Sequence, residues 1–489
     1  MKFNSTRDKN IKKNSFEVIL EGLSPDGGLY VTEKIRPMGD IEKLMDMSYI
    51  ELASYICGLV FDDFSKDEMD YMLKAAYLDK FPEEVVGLSD FDGFSLIELF
   101  HGKTQAFKDL GLSLLPQLMA KSIEKTGIKE DVAILVATSG DTGKAALEGF
   151  KNADRIRVLV LYPKDGVSKI QYRQMACQEG ENLEVLAVDG NFDDCQSMVK
   201  SLILDENVKN KIKEGGYVFS SANSINYGRL VGQIVYYISS YIRLLKRGKI
   251  KKGEKVNIVV PTGNFGNILA SYYAKLMGLP VNKFILASND NKVLVDFLES
   301  GVYDANRELI LTTSPSMDIL VSSNLERLLY HILNEDTTKV RKLMESLNKD
   351  RLYKFDEKID EFYGNFASEG EVGQTIKEIF DKYGYVVDPH TAVAICVYEK
   401  YQKQTKDKTY SLIASTASPY KFASTVLKAL GEEVEANEFD NLRNLANISK
   451  TEIPKQLREL ENKEIIRKQR ASLDEIKDKV IDIFSRSEK

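Results

Sequence analysis

Long hydrophobic runs and clustered metal-binding side chains are both missing from this 489-residue sequence. No stretch of 18 consecutive apolar residues occurs, so we expect no membrane-spanning helix, and no hydrophobic segment of the secretory type opens the chain. The three histidines, His101, His331 and His390, are too few and too dispersed for a zinc site. These absences argue against a membrane protein, a secreted protein and a metalloprotein.

Cysteine is also scarce. The sequence contains four, namely Cys57, Cys177, Cys195 and Cys396, and none of them forms the C-x-x-C spacing of redox or metal sites. Scattered thiols of this kind are typical of a reducing compartment. We therefore expect four reduced, buried thiols in a cytoplasmic protein.

The charge balance gives no sign of a polyanionic partner. Lys and Arg total 67 while Asp and Glu total 74, for a formal net charge of −7, so we expect neither nucleic acid nor an anionic membrane to bind. A small anionic ligand would have to be attracted by local positive groups. With 43% hydrophobic and 29% charged residues, the composition is that of a soluble globular protein of two or three domains.

Strands and helices alternate along most of the chain, which predicts open parallel sheets of the α/β class. Residues 1–95 are interpreted as an N-terminal accessory domain and residues 96–225 as a smaller α/β domain. Residues 226–489 are interpreted as a larger α/β domain with a charged C-terminal tail, which has a helical pattern at residues 457–470 and packs on the outside. The strand candidates are residues 132–138, 155–163, 183–190, 256–261, 284–289 and 410–415.

One lysine, Lys108, stands at the predicted start of a helix within FHGKTQAFKDLG, residues 100–111. Leucines follow it at helical spacing, Pro116 should bend the helix, and Gly127 should end it. The positive partial charge of the first helix amides and desolvation by Phe107 both lower the pKa of an ammonium group. A lysine in such a place suits imine chemistry with a carbonyl compound.

Three turns follow the carboxyl ends of predicted strands, where open α/β sheets bind ligands. They are TSGDTG at residues 138–143, PTGNFGN at residues 261–267 and the hydroxyl-rich STASPYKF at residues 415–422. In the second turn, Gly263 and Gly266 allow a ligand to approach the backbone, and the amides of the following helix can hold a phosphate. Together with Lys108, these turns indicate one composite ligand site.

These segments resemble the threonine synthase family, which consists of pyridoxal phosphate (PLP) enzymes of fold type II. The matching segments occur in the family's order over most of the chain. They are EGLSPDGGLYV (21–31), ELFHGKTQAFKD (98–109), ATSGDTG (137–143), SANSINYGRL (221–230), PTGNFGN (261–267), SPSMDI (314–319), DPHTAVA (388–394) and STASPYKF (415–422). Lys103 departs from the proline expected in the family's HGPT and adds a second amine near the site.

The resemblance implies PLP as the cofactor and a role for each matching residue. Lys108 would bond the cofactor as an imine and later move protons, and Thr416 would meet the pyridine nitrogen. Asp141 would face the 3′-oxygen of the cofactor, and His390 is interpreted as structural rather than catalytic. The implied cofactor contacts are Lys108, Asp141, Gly263, Asn264, Phe265, Gly266, Asn267 and Thr416.

The implied substrate site holds a carboxylate and a phosphate. Ser139 and the amides that follow it would hold the carboxylate. Arg229 offers a planar fork suited to phosphate. The implied substrate contacts are Thr138, Ser139, Thr142, Ser224, Asn226 and Arg229, with no metal ligand among them.

The resemblance implies conversion of O-phospho-L-homoserine and water to L-threonine and phosphate, the last step of threonine biosynthesis. This carbon–oxygen lyase would be a cytoplasmic monomer or homodimer whose smaller domain closes over the substrate. Three alternatives stay open. One is another fold type II enzyme, such as a threonine dehydratase or O-acetylserine sulfhydrylase, which should lack the Ser224, Asn226 and Arg229 set. The others are a phospho-lyase acting on a related phosphorylated amine and a non-catalytic PLP-binding homologue.

Overall fold

Within residues 2–485, two large open β-sheets organise the fold, and each includes a strand from a distant part of the chain. The structure is a computed structural model that describes these residues. Parallel pairing dominates both sheets, which confirms the predicted α/β class. No helix in the described part of the chain combines the length and the apolar character needed to cross a bilayer.

An antiparallel sheet and the helices around it form the N-terminal part. The elements are β1 (Phe3–Ser5), β2 (Lys12–Lys13), α1 (Ser15–Glu21), β3 (Tyr30–Thr32), a 3₁₀ turn (Ile41–Leu44), α2 (Tyr49–Val60) and α3 (Lys66–Tyr77). Asn14, Ser48 and Ser65 begin α1, α2 and α3 with capping boxes, in which the cap side chain and the N3 glutamate satisfy each other's backbone amides.

The next part of the chain alternates strands and helices. The elements are β4 (Gly87–Asp90), β5 (Phe94–Glu98), α4 (Lys108–Thr126), β6 (Asp131–Ala137), α5 (Asp141–Gly149), β7 (Ile156–Pro163), α6 (Lys169–Ala176), β8 (Leu183–Asp189), α7 (Phe192–Leu204), α8 (Glu206–Glu214), β9 (Tyr217–Ser221) and α9 (Tyr227–Lys246). The strands predicted here are confirmed as β6, β7 and β8. The helix predicted to start at Lys108 is confirmed as α4, which ends where Gly127 adopts a left-handed φ of 65°.

The last part repeats the alternation and confirms the remaining predicted strands as β10, β11 and β15. Its elements are β10 (Val256–Pro261), α10 (Gly266–Leu276), β11 (Val281–Ser288), α11 (Val293–Ser300), β12 (Val302–Asp304), α12 (Leu325–Ile332), α13 (Thr337–Asp350), β13 (Leu352–Lys354), β14 (Phe362–Phe366), α14 (Glu369–Tyr383), α15 (Pro389–Thr405), β15 (Ser411–Ser415), α16 (Ala423–Leu430), α17 (Glu438–Ser449), α18 (Lys455–Arg458), β16 (Gln469–Ser472) and α19 (Ile476–Ser485). Short 3₁₀ turns lie at Pro315–Met317, Pro419–Phe422, Glu459–Asn462 and Leu473–Glu475.

The strand order explains how the predicted turns come together. The larger sheet has the order β14-β11-β10-β15-β5-β4, and the smaller sheet has the order β16-β8-β7-β6-β9. Every pair is parallel except β4 with β5. The strands β6 and β10 are almost wholly buried, as expected for strands covered on both faces. The parallel neighbours β10, β15 and β5 therefore end at one edge of the larger sheet, and each leads into a predicted ligand segment.

Two segments lie in a different sheet from the one that the predicted domain division implies. The strand β5 opens the predicted smaller domain but pairs with β15 in the larger sheet. The strand β16 belongs to the predicted tail of the larger domain but pairs with β8 in the smaller sheet. The division at residues 95 and 225 stays a prediction, whereas the sheets are assembled from discontinuous segments.

The helical prediction for residues 457–470 is wrong for most of its length. Helical turns end at Asn462, and the chain then forms no regular element until β16 begins at Gln469. Ala471 is buried there beside β8. Pairing with an existing strand satisfies the backbone and outweighs the local helical preference of a charged sequence.

The helices α4 and α5 touch backbone to backbone, which fixes their starting residues relative to each other. Pro116 lies inside α4 and removes the helical bond to the Leu112 carbonyl. Gly149, at the end of α5, lies against that carbonyl, because a Cβ on Gly149 would be 2.0 Å from Leu112 O. Only glycine permits this approach. Since α4 starts at Lys108 and α5 starts at Asp141, the contact helps to position both residues.

All four cysteines are buried and free, which confirms the expectation of buried thiols. Burial raises the pKa of the Cys57 and Cys195 thiols to about 12. Such thiols are poor nucleophiles at neutral pH, so catalysis has to be sought elsewhere.

Candidate active site

The start of α4 is tied to the turn that follows β15. Ala106 forms a β-bridge with Ala417, and the Phe107 amide donates to Thr416 O at 2.8 Å. Lys108 and the hydroxyl-rich turn are therefore held side by side by the backbone. Both Lys108 and Thr416 line one cavity, which confirms that two of the predicted segments meet.

Lys108 is a buried amine with two polar neighbours. It is 7% exposed. Its Nζ donates to Ser316 Oγ at 2.9 Å and lies 3.7 Å from Asp141 Oδ2. It also lies 5.1 Å from the centre of the Phe107 ring. The amine is thus held by a hydroxyl group rather than by close pairing with a carboxylate.

The surroundings of Lys108 favour its neutral form. Burial is the largest cause and lowers the pKa of Lys108 to about 8. The Asp141 carboxylate acts in the opposite direction, while the Lys421 and Arg229 cations add to the lowering. The direction predicted from the sequence is confirmed, and desolvation is confirmed as a cause. An amine with this pKa can act as a nucleophile and a base near neutral pH.

Asp141 is held by a buried network at the start of α5. Its Oδ1 accepts hydrogen bonds from Lys421 Nζ and, at 2.8 Å, from Gln171 Nε2. Its Oδ2 lies 3.4 Å from Ser316 Oγ. Burial alone would raise the pKa of the Asp141 carboxyl, but the Lys421 and Lys108 ammonium groups outweigh it and hold that pKa well below its usual range. Asp141 is therefore a carboxylate.

The turn between β10 and α10 has the backbone geometry of an anion cradle. Phe265 precedes α10 in a left-handed conformation, with φ of 60°, and the first amides of α10 have no partner within the helix. A left-handed residue followed by helical residues directs successive amides to one side, which is a recurring phosphate-binding arrangement. The turn also has no room for a side chain at Gly263, where a Cβ would be 2.5 Å from Ser316 O.

Side chains on neighbouring segments hold this cradle in place. Ser322 Oγ donates to Gly263 O at 2.7 Å. Asn324 Nδ2 donates to Asn264 O and to Ser224 Oγ, both at 3.0 Å. Asn324 therefore joins the phosphate-type turn to the segment that leads into α9.

Asn267 supplies an unused donor in the cradle. Its Oδ1 accepts hydrogen bonds from the Tyr236 and Tyr237 hydroxyl groups. Its Nδ2 is buried and has no hydrogen-bond partner among residues 2–485. Since buried donors are normally satisfied, this amide is a candidate ligand contact.

Arg229 is a buried cation with unused donors. It is 3% exposed, and its Nη1 donates to Ala222 O at 3.1 Å. Its Nε is buried without a partner, and no ion pair with an acid occurs in the described part of the chain. Burial lowers the pKa of Arg229 to about 10, which leaves it charged at neutral pH. A buried guanidinium without a counterion is a site that an anionic ligand would complete.

Most of the predicted site residues line the same cavity. They are Lys108, Ser139, Thr142, Ser224, Arg229, Gly263, Asn264, Phe265, Gly266, Asn267 and Thr416. Asp141 lies just behind this lining and reaches Lys108. The structure thus gathers segments from β6, β10, β15 and the starts of α4 and α9.

Thr138 and Asn226 lie outside the lining and are occupied by structural bonds. Thr138 Oγ1 accepts from the Gly140 amide at 2.9 Å and the Gly143 amide at 2.8 Å, which shapes the turn before α5. Asn226 caps α9 and donates to Ile19 O at 3.0 Å. Their direct substrate contacts stay predictions.

Sequence reasoning did not assign Ser316, Lys421 or Gln233. Ser316 and Gln233 line the cavity, and Lys421 bonds Asp141. The segments SPSMDI and STASPYKF, which contain the first two, were visible in the sequence but gave no role for these side chains. Gln233 follows Arg229 by four residues, which places both on one face of α9.

His390 positions Ser316 and lies at the cavity wall. Its Nε2 accepts from the Ser316 amide at 3.3 Å, and its Nδ1 lies 2.8 Å from Asp388 Oδ1. Asp388 also caps α15. The structural role of His390 stays a prediction. In this geometry His390 would orient Ser316, whose hydroxyl group bonds Lys108.

Three protein-family profiles match consecutive parts of the chain. "Threonine synthase N terminus" matches residues 2–77, "Pyridoxal-phosphate dependent enzyme" matches residues 96–416, and "Threonine synthase, C-terminal" matches residues 391–480. Together they cover most of the sequence in the expected order. The chain belongs to the threonine synthase family of pyridoxal-phosphate-dependent enzymes.

Individual members of the threonine synthase family support this assignment. Threonine synthase of Saccharomyces cerevisiae is 35% identical, over 88% of this chain and 89% of the yeast protein. Threonine synthase-like 1 of Macaca fascicularis is 40% identical over 85% of this chain, but the chain spans only 58% of that relative's length. The crystal structure of PLP-bound threonine synthase from Brucella melitensis superposes with a TM-score of 0.85 at 33% identity, and covers 100% of both chains.

The site fits the cofactor that defines this family. The Gly263–Asn267 cradle, with its close packing at Gly263 and its unpaired Asn267 amide, offers donors for one phosphate. Lys108 provides a buried amine of lowered pKa in the same cavity. Arg229 is a buried cation in the same cavity that the cradle does not include, and its Nε has no partner among residues 2–485. The arrangement of cradle and amine therefore fits pyridoxal phosphate.

Proposed function

We propose that this protein is a threonine synthase, which converts O-phospho-L-homoserine and water to L-threonine and phosphate. The observation that carries the proposal is Arg229, a buried guanidinium without an acidic partner among residues 2–485, in the cavity that contains Lys108. A substrate with no phosphate would leave this charge uncompensated, which is costly in a buried site. The relatives named threonine synthase support the same reaction.

The residues divide the cavity into functional parts. The Gly263–Asn267 amides would hold the cofactor phosphate, and the Thr416 hydroxyl would approach its ring nitrogen. Arg229, together with Ser224 and Thr142, would hold the phosphate of the substrate.

The substrate carboxylate would lie at the turn before α5. Ser139 lines the cavity there. The first amides of α5 carry positive partial charge and suit a carboxylate. With the carboxylate at one end and the phosphate at the other, the substrate would be held with its reacting carbons beside Lys108.

Lys108 would be the residue that moves protons. When bound, PLP supplies an aldehyde that bonds amines and a ring system that stabilises negative charge on an adjacent carbon. Lys108 Nζ, held by Ser316 Oγ, can accept a proton from a substrate carbon and return it to another carbon. Its buried position limits access of water to the reacting atoms.

The direct experiment is to add PLP and O-phospho-L-homoserine to the purified protein and to measure phosphate and threonine together. We expect equimolar formation of both products, and none without PLP. Phosphate release without threonine would instead favour the phospho-lyase alternative. Absence of both products, with PLP bound, would favour a non-catalytic homologue.

We also propose that the protein works in the cytoplasm, as a monomer or homodimer. The four free and buried thiols support a reducing compartment. Fractionation of cells for the native protein and light scattering of the purified protein test the two parts of this proposal separately.

A further inference from the structure

Lys421 is a buried lysine for which the proposed reaction has no role. It is 0% exposed. Its Nζ donates to Asp141 Oδ1 and, at 3.1 Å, to Thr104 O. An unexposed ammonium is costly unless a specific partner compensates it. The compensating partner is Asp141, whose other oxygen is the one nearest Lys108.

Asp141 by itself would oppose the chemistry of Lys108. A buried carboxylate 3.7 Å from an amine stabilises the ammonium form of that amine. An ammonium group can neither attack a carbonyl carbon nor accept a proton. The site therefore requires something that weakens the pull of Asp141 on the Lys108 proton.

We propose that Lys421 is a positioning residue that neutralises the Asp141 carboxylate and so leaves Lys108 free to release its ammonium proton to water. The inference rests on the proposed function, because it treats Lys108 as the reacting amine. It assigns the buried pair Asp141–Lys421 to the control of reactivity rather than to stability alone.

Other groups also surround Lys108, but Lys421 is the cation that bonds Asp141. Arg229 on α9 is a second cation, and like Lys421 it lowers the pKa of Lys108. His390 on α15 lines the cavity and is engaged with the Ser316 amide and Asp388.

No other carboxylate among residues 2–485 lies close enough to Lys108 to act on its charge as Asp141 does. On α4 itself, Asp109 is turned towards Thr104, whose amide donates to it at 2.8 Å. Asp141 is the carboxylate that lies within ion-pair distance of Lys108 in the described part of the chain. Its charge is therefore the one that must be balanced.

The decisive measurement uses apoprotein and no turnover. Competitive acetylation with acetic anhydride over a pH series, followed by mass spectrometry of the Lys108 peptide, reports the pH at which this amine becomes neutral. In Lys421→Met the midpoint should rise by about one pH unit or more, since Asp141 then acts on Lys108 alone. In Asp141→Asn it should fall, because Lys108 then faces cations only.

The double variant Lys421→Met/Asp141→Asn provides the sharpest comparison. It removes both charges, so its midpoint should lie between the midpoints of the two single variants. In the holoenzyme, kcat/KM at neutral pH should be reduced about tenfold in Lys421→Met. A general packing defect at position 421 would not be repaired by a second substitution at position 141.

Lys144 offers a matched control on the helix of Asp141. It is also a buried lysine, but it bonds Glu148 and Gln178. Lys144→Met should leave the Lys108 midpoint unchanged. If Lys421→Met does not fold, Lys421→Gln, which keeps a hydrogen-bond donor beside Asp141 but removes the charge, should raise the Lys108 midpoint in the same direction.

Two outcomes would overturn the inference. One is a Lys108 midpoint in Lys421→Met equal to that of the wild type, and the other is a double variant that keeps the shift of either single variant. Neither outcome depends on which substrate the enzyme uses, since acetylation needs no substrate. Failure of the threonine assay with these shifts intact would refute the proposed function only.

Discussion

A buried amine that has to react must spend part of its time without a proton, and Lys108 meets this condition. Its pKa of about 8 arises mainly from burial and is opposed by the carboxylate of Asp141. Ser316 holds the amine at 2.9 Å without fixing its charge. The reactivity of Lys108 therefore depends on three elements, namely its own helix α4, the start of α5 with Asp141, and the 3₁₀ turn with Ser316.

Replacing Lys108 tests the central role directly. Lys108→Ala should reduce threonine formation by several orders of magnitude, because both the covalent and the proton-transfer roles are lost. Borohydride added to the wild-type protein with PLP should attach the cofactor to the Lys108 peptide, as mass spectrometry can determine. Lys125→Ala, at the far end of the same helix, should behave like the wild type. A label on any other lysine would refute the assignment.

Arg229 provides the second test at this scale. A charged hydrogen bond contributes about 1.5–3 kcal/mol, so Arg229→Ala should lower kcat/KM for O-phosphohomoserine roughly 10- to 100-fold. PLP content should stay near that of the wild type, because the cofactor phosphate uses a different turn. Slow elimination from serine or threonine should be affected much less.

Arg247, which directly follows the last residue of α9, is a suitable control for Arg229. It is partly exposed and bonds Leu88 O and Asp90. Arg247→Ala should leave kcat/KM for the phosphorylated substrate unchanged. Equal losses for phosphorylated and unphosphorylated substrates in Arg229→Ala would mean that Arg229 supports the fold, and Lys103 would become the next candidate for the phosphate.

At the scale of elements, the turn between β10 and α10 depends on close packing. A Cβ at Gly263 would be 2.5 Å from Ser316 O, which is a backbone atom and cannot move aside. The left-handed residue of this turn is Phe265 and not a glycine, so steric access, rather than a positive φ, explains the glycine at 263.

Substitution at Gly263 should therefore weaken cofactor binding. Forcing an extra carbon into such a contact costs about 1–3 kcal/mol, which corresponds to a roughly 5- to 150-fold higher Kd for PLP. Fluorescence or absorbance titration of apoprotein with PLP measures the change in Gly263→Ala. A Cβ at Gly370 in α14 would meet no other atom within 4 Å, so Gly370→Ala should bind PLP normally. Unchanged affinity in Gly263→Ala would place the cradle elsewhere.

Elements whose conformation is encoded by neighbouring residues could be predicted from the sequence, and elements that depend on distant residues could not. Buried apolar runs such as β6 and β10 and the glycine stop of α4 were predicted, because each is encoded within a few neighbouring residues. The extended stretch that becomes β16 was not, since its conformation depends on β8, far away in the sequence. The hydrogen bond between Lys421 and Asp141 was not predicted for the same reason, although both residues lie in recognisable motifs.

At the scale of the whole molecule, the C-terminal helix α19 packs against the smaller sheet. Phe484 is fully buried, and its ring centre lies 5.5 Å from that of Tyr217 and 6.3 Å from that of Phe219. The side chains of α19 therefore join a hydrophobic core that is built on strands hundreds of residues earlier in the sequence.

Truncating this side chain should destabilise the smaller domain. Phe484→Ala should lower the free energy of unfolding by about 3–5 kcal/mol, which chemical denaturation followed by tyrosine fluorescence and circular dichroism can measure. Asp478→Ala, an exposed change on the same helix, should alter it by less than about 0.5 kcal/mol. A loss of activity in Phe484→Ala without loss of stability would indicate a different role for the tail.

The placement of β16 and β5 also has a consequence for how the protein is made. The strand β16 pairs with β8 although they lie far apart in sequence, as in the pairing of Gln469 with Leu186, and β5 pairs with the distant β15 in the same way. During synthesis, β5 therefore lacks its partner β15 until residue 415 has been made, and β8 lacks its partner β16 until residue 472 has been made. Exposed strand edges invite association with other chains, so this protein is expected to depend on chaperones during synthesis more than a protein whose domains are continuous in sequence.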